Sequence, residues 1–305
     1  MSLYPPPEIV ESEVFSRMPD SFRRNEASAW ANANKAGAHI HSFLEGPSFD
    51  RDGNLYVTDI PFGRVFRIDP AGEWTLVTEY DGWPNGLKIH KDGRIFITDY
   101  KRGIVQLDPA TGAVVPVIET NHSESFKGVN DLVFASNGDL YFTDQGQTGW
   151  HDPTGRVFRL TADGVLQKLI DTVPSPNGIV LSLNERQIFI SVTRALAVWR
   201  LPLMGDGMVS KAGTFIQLSG GLSGPDGMAV DEEGGLVVTH AGMAVWRFDR
   251  LGQPTHRINL KGGLFGTNCA FGGPENRTLF ITESESGTVL RADLPVAGRP
   301  MFSHQ

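Results

Sequence analysis

The chain holds one cysteine, Cys269, among 305 residues. An intramolecular disulfide and a thiolate metal cage are therefore both excluded. No apolar run approaches the roughly 18 residues that a membrane-spanning helix needs. The N-terminal stretch MSLYPPPEIVESEVFSR carries three prolines and several acids. A secretory signal would show a basic start and an apolar segment there, so the cytoplasm is the expected compartment. Basic residues are the minority, 27 Lys and Arg against 35 Asp and Glu, for a net charge of -8. That balance argues against a nucleic-acid partner, which needs a basic face. A Gly-x-Ser-x-Gly elbow, a Gly-x-x-x-x-Gly-Lys loop and a His pair at metal-ligand spacing are all missing, which sets serine-triad and nucleotide chemistry aside. There is also no low-complexity tract or linker, so one domain is expected over residues 1–305, with 1–42 preceding the repeats of 43–305.

Glycine and proline are plentiful, 35 and 19 residues, and spread along the chain. They punctuate many short segments, and 40% hydrophobic content suffices for a large core. Six stretches align: GPSFDRDGNLYVTD, PNGLKIHKDGRIFITD, VNDLVFASNGDLYFTD, PNGIVLSLNERQIFIS, PDGMAVDEEGGLVVTH and TNCAFGGPENRTLFIT. Each reads as an apolar strand, a polar turn and a second strand. The turns fall at Asp52-Gly53, Asp92-Gly93, Asn137-Gly138, Asn184-Glu185, Glu233-Gly234 and Glu275-Asn276. A third strand follows, as in GRVFRIDP from Gly63 and MAVWRFDR from Met243, and a more polar fourth strand follows in most units. The apolar residues alternate with period two and are rich in β-branched types, which rules out a helical reading. Four strands in each of six units of about 40–50 residues predict an all-β, six-bladed β-propeller of four-stranded antiparallel blades. The segment EVFSRM is expected to supply a strand that closes the ring, and EASAWANANKAG a short helix or cap.

The first strand of each propeller blade lines the central channel. The aligned residues Ser48, Asn85, Asn130, Asn177, Asp226 and Asn268 are therefore expected to ring the axis. Glu45 is expected on the loop entering the first blade. Glu45, Asn130, Asn177 and Asp226 supply two carboxylates and two amide carbonyls, hard donors whose charge balances one divalent cation. Calcium takes about 6–8 oxygens, leaving places for water and substrate. Magnesium, manganese and zinc also bind such a set with open positions. Taken singly, an Asn or Asp beside Pro and Gly reads as a turn former; convergence of several blades on one axis is what points to a cation.

The stretches EGPSFDRDGNLYVTD, VNDLVF, SPNGIVLS, GPDGMAVD and NCAFGGPENRTLFIT occur in the order found in the gluconolactonase / senescence marker protein (regucalcin-like) family of six-bladed propeller lactonases, which this chain resembles from about Phe43 onward. The resemblance implies that Glu45, Asn177 and Asp226 bind one divalent metal and that Asn130 binds the metal or the substrate. It also implies Asp226 as the general base. The Arg-x-Asn-Ser-Pro-Asn-Asp run of many bacterial members is absent: this chain reads Ser125-Phe126-Lys127-Gly128-Val129-Asn130-Asp131, with Lys127 the sole basic residue. The expected chemistry is metal-dependent hydrolysis of a small lactone, the cation polarising the carbonyl while a base activates water.

Asn85, Trp83, Tyr100 and His240 join Asn130 as expected substrate contacts, with Phe62, Trp150, His151 and Arg194 as further candidates on mouth loops. Asp59, Asp99, Asp144 and Glu283 end second strands near the same end, where an Asp ordinarily caps the next turn; His240 stands out because it breaks that Thr-Asp pattern and titrates near neutrality. Two other functions stay open: a calcium-dependent esterase or phosphotriesterase on the same ring, and a non-catalytic propeller that binds a protein or peptide. A self-contained ring predicts a monomer or a weak homo-oligomer.

Overall fold

The computed structural model describes residues 4–305, and the first three residues of the N-terminal segment lie outside them. Six sheets surround one axis. Their innermost strands are Leu44–Phe49, Pro84–Ile89, Val129–Phe134, Pro176–Leu181, Pro225–Val230 and Gly266–Gly272. Each continues outward through antiparallel neighbours in sequence order. The fold is the expected six-bladed β-propeller.

The predicted turns lie where the hairpins bend. Gly53, Gly93, Gly138 and Gly234 have φ between 80° and 90°. Blades four and six make the same bend without glycine, at Glu185 (φ 54°) and at Glu275 and Asn276 (φ 59° and 54°). The Glu185 carboxylate then bonds the Ser136 backbone N–H and hydroxyl of the neighbouring blade.

Period-two strands buried on both faces stack blade on blade. Phe49, Val57 and Phe66 of blade one meet Ala270 and Phe280 of blade six. Val180, Phe189 and Val198 of blade four meet Met228, Leu236 and Val238 of blade five. Each such side chain contributes about 1.5–3 kcal/mol of hydrophobic stabilisation.

The ring is closed by the N-terminal segment. Glu13–Arg17 pairs antiparallel with Thr288–Asp293 and forms the fourth strand of blade six. A second closure was not legible beforehand: Glu8–Glu11 adds to blade five as a fifth strand, parallel to Pro254–Asn259.

The two ends of the channel differ. At the end carrying the hairpin turns, the tail crosses the opening. Phe302 stacks on Phe134 at 5.0 Å, and the Ser303 hydroxyl donates to the Phe49 carbonyl at 2.9 Å. At the other end sits the short cap helix Ala29–Asn34, its first turn capped by Ser28. Helices this short draw their stability from packing; here Trp30 and Ala31 dock on Ile60, with Phe43 and Trp83 alongside. No helix among the described residues is long and apolar enough to cross a membrane.

Candidate functional site

The recurring Pro-Asn-Gly phrase is a bulge. In blades one to five, the pairing of first and second strands slips between Glu45 and Ser48, Pro84 and Leu87, Val129 and Leu132, Pro176 and Ile179, and Pro225 and Met228. A bulge re-aims a side chain, and here it turns one polar residue per blade towards the axis. The glycine after it allows close approach: a Cβ on Gly178 would lie 2.3 Å from the Asp226 carbonyl oxygen of the next blade.

A second device ties the blades together. Second-strand threonines donate to the backbone of the next blade's ring residue: Thr58 to Asn85 at 2.6 Å, Thr98 to Asn130, Thr143 to Asn177 at 2.7 Å and Thr239 to Thr267 at 2.8 Å.

These registers correct the expected ring at two places. The ring residues are Glu45, Asn85, Asn130, Asn177, Asp226 and Thr267. Glu45 is not on an entry loop; it lies within the first strand, paired with Thr58. Ser48 lies deeper, among the residues lining a small cavity under the ring with Lys88, Val133, Val180, Ala229 and Ala270. Asn268 lies one residue past the ring position. The cause is sequence slippage: the Gly-Pro of blade one and the extra polar residue of blade six shift the apparent alignment without moving the strands.

Glu45 is buried, and its Oε2 accepts from the Gly46 N–H and the Asn268 side chain, both at 2.9 Å. Burial pushes its pKa up to about 7, against those two hydrogen bonds, with Asp131 adding to the rise. Asp226 keeps partial solvent access. Burial and the charges of Glu45 and Asp131 hold its pKa well above the usual carboxylate range, opposed by Lys35 and a hydrogen bond from Asn177. The Asn130 side-chain N–H donates to Gln145 Oε1 at 2.8 Å, and that of Asn177 to Thr193 Oγ1 at 3.2 Å. Both amides thus commit their nitrogens to the protein and keep their carbonyl oxygens for another partner. Among the described residues, no three His, Cys, Asp or Glu side chains come together as a cation cage. The donor set is mixed, and two poorly neutralised carboxylates, Glu45 buried and Asp226 half-buried, with two spare amide oxygens fit a hard divalent cation.

The sequence reading passed over Asp131. It stands where blades one, two, four and five have glycine, and a Cβ on Gly86 would meet its Oδ1 at 2.6 Å. Burial raises its pKa, and Lys88 opposes the rise. The signal was available: Asp131 is the one acid at a glycine position of the repeat.

A cavity of about 380 Å³ opens at the cap-helix end, lined by Asn34, Gln145, Gln147, His151, Ser175 and Arg194 among others. Gln145 joins it to the ring, since its amide also donates to Ser175 Oγ at 2.9 Å. Gln147 donates to Asn34 of the cap helix at 2.9 Å and to the Tyr100 hydroxyl at 3.0 Å. The Asn85 side chain, nearly buried, makes no hydrogen bond among the described residues, whereas Trp83 packs beneath the cap helix, 5.9 Å from Tyr100. Trp150 is 67% exposed at the cavity rim. His240 is buried, its Nε2 3.0 Å from the Gly220 carbonyl, and does not line this cavity. Phe62 and Lys127 do not line it either; the Phe62 ring lies against Arg64. Asp59, Asp144 and Asp99 are structural: Asp59 accepts from Phe43 N–H and Arg64, Asp144 from Lys127 and Gly128 N–H and Arg156, Asp99 from the Tyr80 hydroxyl and two backbone N–H groups.

Fold and ring together define a propeller with oxygen donors gathered on its axis, crossed by the tail at one end and carrying the cap helix and a cavity at the other. The profile of the SMP-30/Gluconolactonase/LRE-like region matches residues 43–285, and the chain belongs to that family. It is 31% identical over 244 residues to lactonase drp35 of Staphylococcus aureus strain MRSA252, covering 76% of this chain and 73% of that one. Drp35 of strain MW2 is 28% identical over 294 residues, covering 90% and 85%. Among solved structures, a gluconolactonase from Xanthomonas campestris aligns with a TM-score of 0.75 at 25% identity, covering 93% and 98%. Regucalcin from Agrobacterium tumefaciens, described as a calcium-binding protein, aligns with a TM-score of 0.79 at 22% identity, covering 98% and 99%; at that identity the likeness speaks to the fold.

Proposed function

We propose that this protein hydrolyses a small lactone at the axial ring, with one divalent cation held by Glu45, Asn130, Asn177 and Asp226. Family membership sets the enzyme class, a hydrolase of carboxylic ester bonds. The observation that carries the site assignment is the pairing of buried Glu45 and half-buried Asp226, both poorly neutralised, with two amides whose nitrogens are committed to Gln145 and Thr193. Calcium suits four oxygen donors with places left for water and substrate, ahead of zinc, manganese or magnesium. Held by these residues, such an ion would supply Lewis-acid polarisation of the ester carbonyl.

The remaining chemistry falls to the chain. Asp226 is the one ring carboxylate with solvent access, so it is the group to take a proton from water as the water oxygen adds to the carbonyl carbon. The ring C–O bond then breaks, and the alkoxide receives the proton back from Asp226, giving a hydroxy acid. In this reading the unpartnered Asn85 amide and the Tyr100 hydroxyl, which accepts from Gln147, bond substrate oxygens. The blocked far end leaves the cap side as the route for substrate and water.

The test is a lactone panel followed with a pH indicator, after EDTA treatment and again with each ion restored. Activity should vanish on chelation, return with one ion and fall at least about 100-fold in Asp226→Asn and Glu45→Gln. Turnover of phosphotriesters or open esters in place of lactones would transfer the ring to that chemistry. Full lactone turnover in EDTA would remove the cation from the reading.

A further inference from the structure

The chain is acidic overall, at -8, yet the cavity at the cap-helix end carries a positive charge. No carboxylate lines the 380 Å³ cavity, and its one fixed charge is Arg194. Arg194 is exposed on the turn Thr193–Ala195, next to the threonine that holds Asn177. The Arg194 stem lies near Gly149, with Cγ 3.5 Å from where a glycine Cβ would sit. Its guanidinium makes no hydrogen bond or ion pair with the described residues.

Lys35 approaches from the other side. It caps the C-terminus of the cap helix, beside the cavity-lining Asn34. Its ammonium lies over the rings of Phe43 and Phe265, at 4.7 and 5.1 Å, and likewise has no ion-pair partner within bonding distance among the described residues. The charges it feels are Asp226, Arg194 and Glu285. Asp226 faces the axis, and Glu285 bonds the Leu264 N–H. With Asp226 engaged in the ring, Arg194 on the cavity wall and Lys35, close enough to feel its charge, are left without a bonded anion.

Resting on the lactonase reading, we propose that Lys35 and Arg194 select a lactone that carries an anionic group, a carboxylate or a phosphate, on the part of the substrate remote from the ester. Arg presents a planar fork that matches either anion, and Lys a compact charge on a semi-apolar seat. A polyol lactone without a charge leaves both cations unused. The same pair would hold a dicarboxylate product more tightly than a monocarboxylate one.

The experiment compares substrates that share a ring and differ in one terminal group. D-glucono-1,4-lactone and D-glucaro-1,4-lactone exchange CH₂OH for a carboxylate, and D-glucono-1,5-lactone with its 6-phosphate forms the phosphate arm. KM and kcat are measured on the ion-loaded full chain, together with the Kd of D-glucarate and D-gluconate by calorimetry. The ratio of kcat/KM, anionic over neutral, should exceed about tenfold, chiefly through KM, because a charge-assisted bond is worth that much or more. The ratio should collapse about 10- to 100-fold in Lys35→Met and Arg194→Gln, while Lys35→Arg keeps most of it. Whichever anionic arm is preferred names the group. Equal KM for the neutral and charged lactones, or a preference that survives both substitutions, overturns the inference and leaves the lactonase reading standing. If no lactone is opened, the lactonase reading falls, and glucarate binding alone then decides: a preference over gluconate that Lys35→Met abolishes supports the anion site, and equal binding overturns it.

Discussion

Glu45 gives the sharpest quantitative handle on the ring. Its carboxyl is buried and carries a pKa of about 7 when no cation is present, against an ordinary 4.5. The folded chain therefore holds this proton more tightly than the unfolded chain does. The stabilisation from this group is complete below about pH 4.5 and is lost as the pH rises through 7. The loss amounts to about 3 kcal/mol. For a chain of 305 residues that is a fall in Tm of about 5 °C between pH 4.5 and 7.5. Asp226, shifted in the same direction, adds to it. Glu45→Gln keeps an oxygen for the Gly46 and Asn268 donors and removes the charge. In EDTA the variant should lack most of this slope and melt above the native protein at pH 7.5. Calcium at about 100 times its Kd should restore about 2.7 kcal/mol to the native protein and little to the variant. The assay is thermal unfolding by circular dichroism from pH 4.5 to 8, with EDTA or calcium. A metal-free native protein that melts in parallel with Glu45→Gln across this range would falsify the electrostatic account of the ring. A calcium shift equal in both would remove Glu45 from the cation site.

Three further outcomes follow from the packing. Gly178→Ala drives a methyl into the Asp226 carbonyl and should destabilise by several kcal/mol while lowering calcium affinity, read by denaturant unfolding and calorimetry. Phe302→Ala removes the ring stacked on Phe134 and set edge-on to His90 and should cost about 3 kcal/mol, lowering Tm by about 5 °C without changing the pH slope of the ring. Asp144→Ala strands the buried Arg156 guanidinium and two loop N–H groups; urea unfolding should show a loss of about 3–5 kcal/mol, far above that of Asp81→Ala in its exposed pair with Lys101.

Local chemistry determined much of this protein. The hairpin turns, the period-two strands, the closing strand around Glu13–Arg17 and the helix in EASAWANANKAG can all be read from residues adjacent in the chain, because turn residues and alternation act over a few positions. Asn85, Asn130, Asn177 and Asp226 emerged for the same reason: each follows a residue that starts an apolar strand. Tertiary structure decided the rest. A bulge sets which residue faces the axis, so Glu45 and Thr267 hold ring places that a linear alignment assigns to Ser48 and Asn268. Asp131 and Asn268 fit beside the axis because Gly86 and Gly227 of the preceding blades leave them room. The strand at Glu8–Glu11 finds its partner almost the whole chain away, a pairing with no local signal. Lys35 and Arg194 are separated by three blades and the first half of a fourth, and closure of the ring is what brings the two cations near each other.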